Sequence, residues 1–171
     1  MGNILIKKTD NILTNRYFHL SILYTLAFLI PFLLKGPQIL TGTLINFLLI
    51  IGISQFKLKH VLPILIVPSL SAYLSQALFG TVTVYLIYLI PFITVSNLIL
   101  VLLYSKIKNK LLSIIISSLG KSIFLFLSTM LLINIISLPS IFLSTMGIMQ
   151  LYTAIMGSTL ATLTMKVTLN S

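Results

Sequence analysis

Apolar positions in this chain fall in long blocks, not in the strict alternation of a half-buried strand. Six blocks run over residues 17–34, 37–56, 61–79, 81–104, 111–136 and 140–165. Each meets or approaches the roughly twenty apolar residues that a helix needs to cross a hydrocarbon core about 30 Å thick. The breaks between them are short: Lys35-Gly36, residues 57–60, Gly80, residues 106–110 and Leu138-Pro139. Breaks of this length predict antiparallel neighbours in a compact bundle. The predicted fold is all-α, an integral membrane bundle of six transmembrane helices over residues 17–171, preceded by a basic cytoplasmic segment over residues 1–16.

Composition sharpens that picture. The chain is 58% hydrophobic and 7% charged, against about 45–50% apolar and about 25% charged in a soluble domain. One acidic residue against eleven Lys and Arg leaves almost nothing from which to build a solvated face, so the lipid bilayer is the first expected partner. In a soluble domain a net charge of +10 would suggest nucleic acid. Here the cations sit at block ends, where they act as topology signals and meet anionic head groups, and no nucleic-acid partner is expected. With the N-terminus inside, the inner side holds Lys7, Lys8, Arg16, Lys57, Lys59, Lys106, Lys108, Lys110 and Lys166, and the outer side only Lys35. Positively charged loops are retained in the cytoplasm, so both termini are predicted there and the protein is expected to be multi-pass in the cell membrane. The first block lacks a small-residue cleavage pattern and reads as an uncleaved helix.

Within the blocks, Lys121 is the most informative residue. It lies about ten residues into the fifth block, roughly 15 Å from the inner end at 1.5 Å per residue, and so near the predicted bilayer centre. A charge there costs several kcal/mol and generally faces the bundle interior or a wet cavity. The chain's one acid, Asp10, precedes the first block. Three readings of Lys121 stand open: it pairs with an anionic group of a bound molecule, it is a structural lysine bonded to carbonyls and amides, or it snorkels to an interface. Asn46, Asn97, Gln150, Gln38 and Gln76 also interrupt apolar blocks, with amides that hydrocarbon does not satisfy. Together with Lys121 they are the candidate substrate-binding residues, and interhelical hydrogen bonding is the other role open to each.

Pro31, Pro63, Pro68 and Pro91 fall inside blocks and remove backbone donors. Pro68 and Pro91 are candidates for shaping a cavity, although proline is common in membrane helices anyway. Small residues at packing spacing, such as Ser71 with Ser75 and Ala154, Gly157, Ser158 with Ala161, allow helices to approach closely. Tyr85, Tyr88, Phe92, Tyr104 and Tyr152 could line a pocket, although an interfacial belt accounts for Tyr104 without one. Gly120-Lys121-Ser122 imitates the end of a phosphate-binding loop but has Ile115 where that motif needs glycine. No paired carboxylates and no Ser, His and Asp set can be assembled within the blocks. An enzyme is not expected, nor is a cofactor or metal site: His19 and His60 stand apart without a second ligand.

The string Gly36-Pro37-Gln38 with Thr41-Gly42-Thr43 and Asn46, then Ile90-Pro91-Phe92 with Asn97, Gly120-Lys121, and Gln150 with Thr153-Ala154 and Gly157, resembles the substrate-binding S components of energy-coupling factor transporters. That resemblance implies a receptor that captures a vitamin-like small molecule from outside. It also implies release inward through a separate transmembrane coupling protein and two cytoplasmic ATPases. The first helix of such proteins commonly carries Ala-x-x-x-Ala for contact with the coupling protein, where this chain has Ser21 and Thr25. A substrate-binding subunit for small-molecule uptake is the leading expectation. The alternative is a structural or assembly subunit of a larger membrane complex, in which the same polar residues only hold helices together.

Overall fold

The computed structural model describes the backbone of residues 2–34, 36–76 and 80–170, and the side chains among these from Arg16 to Thr168 except at position 81. The side chains of Lys7, Lys8 and Asp10, and all of Lys35, therefore lie outside what is described. The elements are α1 (Gly2–Leu33), α2 (Gln38–Gln55), α3 (Leu58–Ser75), a 3-10 turn (Gly80–Tyr85), α4 (Leu86–Lys106), α5 (Lys110–Ile136), α6 (Ile141–Met146) and α7 (Ile148–Asn170). No strand occurs among the described residues. Six helical segments are long and apolar enough to cross a membrane, α6 and α7 together making the sixth. The outer surface is apolar, with Leu74, Leu131, Ile135 and Val167 each more than half exposed.

Several boundaries shift from the sequence expectation. α1 begins at Gly2, so the basic segment and the first apolar block share one helix. Residues 58–60 form the first turn of α3 and do not break the chain. Lys and His are ordinary helix residues that end nothing by themselves, and Lys59 simply projects outward. α5 starts where Asn109 caps it, its side-chain oxygen accepting from the Leu112 N–H at 3.2 Å. The sixth block is one apolar helical stretch in two pieces, broken at Gly147.

The helices close into a ring in the order α1, α3, α4, α5, α7, α2 and back to α1. Short connections predicted antiparallel neighbours, and α4 with α5 obeys. The closest partners α2 and α7 instead run in the same direction: Gln38 meets Thr145, Asn46 meets Thr153, and Thr43 meets Met156 as both helices proceed. Alternation along the chain already makes the second and sixth segments parallel, and glycine lets them touch. A methyl group at Gly157 would lie 2.5 Å from the Thr43 carbonyl oxygen and 2.7 Å from Asn46 Cβ, and one at Gly42 would lie 2.9 Å from Thr153 Cγ2. Small residues on facing surfaces allow this close approach.

Two apolar clusters fill the ring. One joins Leu49, Ile50, Val61, Ile64, Leu100, Val101 and Ala154. The other, toward the end that holds α6, joins Ala72, Leu86, Leu89, Leu125, Phe142 and Met146. Polar side chains lie between them. The opposite end of the bundle carries Arg16, Lys57, Lys59, Lys106, Lys108, Lys110 and Lys166, all exposed, with Arg16 set 5.8 Å over the Phe56 ring.

Close packing at Gly157 has a measurable consequence. Gly157→Ala must push α7 off α2, and overpacking of this kind costs about 1–3 kcal/mol. The variant should melt several degrees below the parent in detergent. Gly36→Ala, with nothing within 4 Å, should melt with the parent; equal melting of all three proteins refutes the contact.

Candidate functional site

Lys121 projects from α5 into the ring and is 2% exposed. That burial removes the snorkelling reading. Its Nζ donates to Asn46 Oδ1 on α2 at 2.6 Å and to Asn97 Oδ1 on α4 at 2.8 Å. Both amides are oriented from behind. Asn46 Nδ2 donates to Thr153 Oγ1 at 3.2 Å, and Asn97 Nδ2 donates to the Leu65 carbonyl oxygen at 2.9 Å. The Thr153 hydroxyl in turn donates to the Gln150 carbonyl at 3.2 Å. An amide whose nitrogen is committed to an acceptor presents its oxygen on the other side, and in both cases that oxygen meets the lysine. The network joins α2, α3, α4, α5 and α7.

Local irregularities supply this arrangement. Pro68 lacks an N–H and crowds the Ile64 carbonyl four residues earlier, next to the Leu65 carbonyl that accepts from Asn97. Buried backbone freed in this way must find partners inside the protein. The break at Gly147 works similarly: Gln38 Nε2 donates to the Thr145 carbonyl at 3.0 Å, and Ser122 Oγ to the Gly147 carbonyl at 2.8 Å. These bonds hold α6 against α2 and α5.

Beside the lysine is a cavity of about 80 Å³ lined by Pro31, Gln38, Thr41, Gly42, Ile45, Asn46, Pro68, Ser69, Ala72, Leu86, Ile93, Asn97, Lys121, Met146 and Gln150. Five of the six candidate residues meet there: Lys121, Asn46, Asn97, Gln38 and Gln150. The sixth, Gln76, does not join them. It ends α3 in the left-handed conformation, φ 50°, and its side chain is exposed away from the cavity. Of the two prolines proposed to shape a cavity, Pro68 lines this one and Pro91 lies exposed on α4; Pro31 takes its place. Tyr104 is corrected as well. It is buried, 1% exposed, and its hydroxyl bonds to Thr162, so it is no belt residue.

Thr41 and Thr153 carried no separate weight in the sequence reading. A signal existed for both: Gln38, Thr41, Gly42, Ile45 and Asn46 fall at three- and four-residue steps on one face of α2, and Gln150 and Thr153 are three apart on α7. The buried Thr41 hydroxyl has no hydrogen-bond partner among the described residues. Lys121 commits two N–H groups to the amides, and its protonated form carries a third. The cavity wall offers the Lys121 amine, a hydroxyl and the Gln150 amide. Such a wall suits a small polar molecule that accepts hydrogen bonds. It does not suit phosphate capture by a Gly120-Lys121-Ser122 loop, since these residues lie within α5.

Fold and site together define a class: a protein helical throughout its described elements, with six segments long and apolar enough to cross a membrane, built around a buried lysine beside a small cavity of mixed polar and apolar lining. Comparison with known protein families, characterised proteins and solved structures returns no match to this chain.

A double-mutant cycle tests the lysine network. Asn97→Leu leaves Nζ with one amide acceptor, and losing a hydrogen bond to a charged group costs about 1.5–3 kcal/mol. The melting temperature should fall accordingly, and adding Lys121→Met should restore most of the loss. Strictly additive effects of the two substitutions mean the pair does not interact.

Proposed function

We propose that this chain is a multi-pass cell-membrane protein, both termini cytoplasmic, that serves as the substrate-binding subunit for uptake of a small molecule bearing a carboxylate or similar oxygen acceptor. The observation that carries the reading is Lys121: a buried amine with no carboxylate among the described residues, tied to two neutral amide oxygens, on the wall of a cavity. Burying an unneutralised cation is unfavourable, so a guest that brings a negative charge gains an interaction that water offers far more weakly. Thr41 and Gln150 add directional contacts. Apolar outer surfaces support a bilayer environment, and the clustering of basic residues at one end supports the orientation, since that end is the one retained in the cytoplasm.

At about 80 Å³ the cavity is smaller than the roughly 300–1,000 Å³ of typical ligand pockets. It fits a guest of few atoms as it stands; a vitamin-sized guest needs α6 to move off α2, at the expense of the bond between Gln38 and Thr145. Energising subunits, a transmembrane coupling protein and cytoplasmic ATPases, belong to this proposal as separate chains. The assembly reading keeps one observation in its favour: two of the three lysine donors are already satisfied within the protein.

Two experiments follow. Because the chain has no cysteine, single cysteines report orientation directly. Gly36→Cys should react with a membrane-impermeant maleimide on intact cells and Lys108→Cys only after permeabilisation; the reverse pattern overturns the orientation. For capture, native mass spectrometry of detergent-purified protein should find a retained small molecule, lost by at least tenfold in Lys121→Met and kept in Gln76→Ala. Equal retention in the folded Lys121→Met protein rules out the site. Protein without any guest that co-purifies in fixed ratio with other subunits favours assembly.

A further inference from the structure

A second cavity, of about 740 Å³, opens at the basic end of the bundle where α2, α4, α5 and α7 finish or begin. We propose that it is a binding site for one anionic phospholipid, with the headgroup phosphate between Lys110 and Lys166 and an acyl chain along Ile53, Ile114 and Leu163. This inference rests on membrane insertion and not on the capture reading.

The walls and the mouth have different chemistry, and the order matches that of a lipid. Ile53, Ile114 and Leu163 present hydrocarbon. Tyr104 and Thr162 close one side by a hydrogen bond of 2.7 Å. Thr162 gives its own proton to the Ser158 carbonyl at 2.7 Å, and a hydroxyl has only one to give, so Tyr104 is the donor. That fixes the phenol ring as a rigid wall joining α4 to α7. The same ring holds Lys110, whose Nζ lies 5.1 Å from its centroid, within cation–π range. Lys110 is thus positioned at the cavity, while its N–H groups stay available to an anion. Lys166 lines the same cavity from α7.

Charge complementarity selects the occupant. Two lysines line this opening and no acidic side chain among the described residues joins them, so an anion from outside complements the site. Basic pockets between helices on the cytoplasmic side suit anionic head groups, and each lysine near such a surface contributes about 1 kcal/mol. A phospholipid supplies phosphate and hydrocarbon in one molecule, at the depth where these helices end. Free phosphate supplies only the first, and a partner helix supplies a neutralising charge only if it carries one at this depth.

The test uses the full chain purified in detergent, with phosphatidylglycerol or phosphatidylcholine added at equal mole fraction and bound lipid counted by native mass spectrometry. Wild-type protein should retain phosphatidylglycerol at least tenfold better. Lys110→Gln with Lys166→Gln should lose about 30-fold in that retention, from two lysines. Lys57→Gln with Lys59→Gln removes the same charge from the same end outside the cavity and should keep it. Both lysine pairs are exposed, so folding is not at stake. No preference between the lipids, or equal loss in both double variants, overturns the site in favour of diffuse surface attraction. Release of the lipid by millimolar inorganic phosphate overturns it in favour of a free anion. A Leu163→Cys protein that takes neither lipid and crosslinks to another membrane protein in native membranes overturns it in favour of a partner helix.

Discussion

The ammonium group of Lys121 sets the constraint around which the bundle is arranged. A lysine amine enclosed by apolar helices needs polar partners, because no carboxylate among the described residues lies beside it and unpaired burial of such a group costs several kcal/mol. Two amide oxygens answer this need, from Asn46 and Asn97. They are effective because each amide is itself fixed, by Thr153 and by Leu65. One side chain thereby sets the mutual position of α2, α4 and α5, and through the amide nitrogens that of α3 and α7. The apolar clusters above and below are non-directional and would tolerate sliding; the polar network is directional and does not.

Backbone irregularity serves the same arrangement. Pro68 and the break at Gly147 are costly taken singly, since each disturbs a helical hydrogen-bond ladder. Around both, side chains from other helices reach nearby carbonyls: Asn97 meets Leu65, Gln38 meets Thr145 and Ser122 meets Gly147. The result is a lined hollow and not a collapsed seam. Glycine contributes at the opposite extreme of packing, where Gly42 and Gly157 bring α2 and α7 together tightly enough to place Asn46 beside Thr153.

Much of the architecture was legible in the sequence, since length and apolarity are properties of a segment by itself. Six blocks became six helical segments, and the basic residues that alternate counting put on one side do gather at one end. The boundaries were less legible where a polar residue proved a poor punctuation mark, as at Lys59 and His60 inside α3. The candidate site was legible in part. A charged or amide side chain in an apolar block has to find a polar partner, and this marked Lys121, Asn46, Asn97, Gln38 and Gln150 as interior. The same reasoning misplaced Gln76, because a residue at the end of a block can terminate its helix and turn outward as easily as face in. It also misjudged Tyr104, whose position near a helix end resembled an interfacial belt while its hydroxyl had a partner in Thr162.

By itself, then, the chain determined which segments are helical and apolar enough to cross a membrane, which end of the bundle is basic, and that Lys121 needs company. Those outcomes depend on composition within a single helix and on the parity of crossings. Tertiary structure alone decided who provides the company, that α2 packs against α7, and that two hollows of unlike chemistry form, one around the lysine and one at the basic end. Such outcomes depend on rotation about each helix axis and on how closely two backbones approach. Both are governed by side chains far apart in sequence, such as Thr43 with Gly157 and Lys121 with Asn46, whose meeting no local pattern encodes.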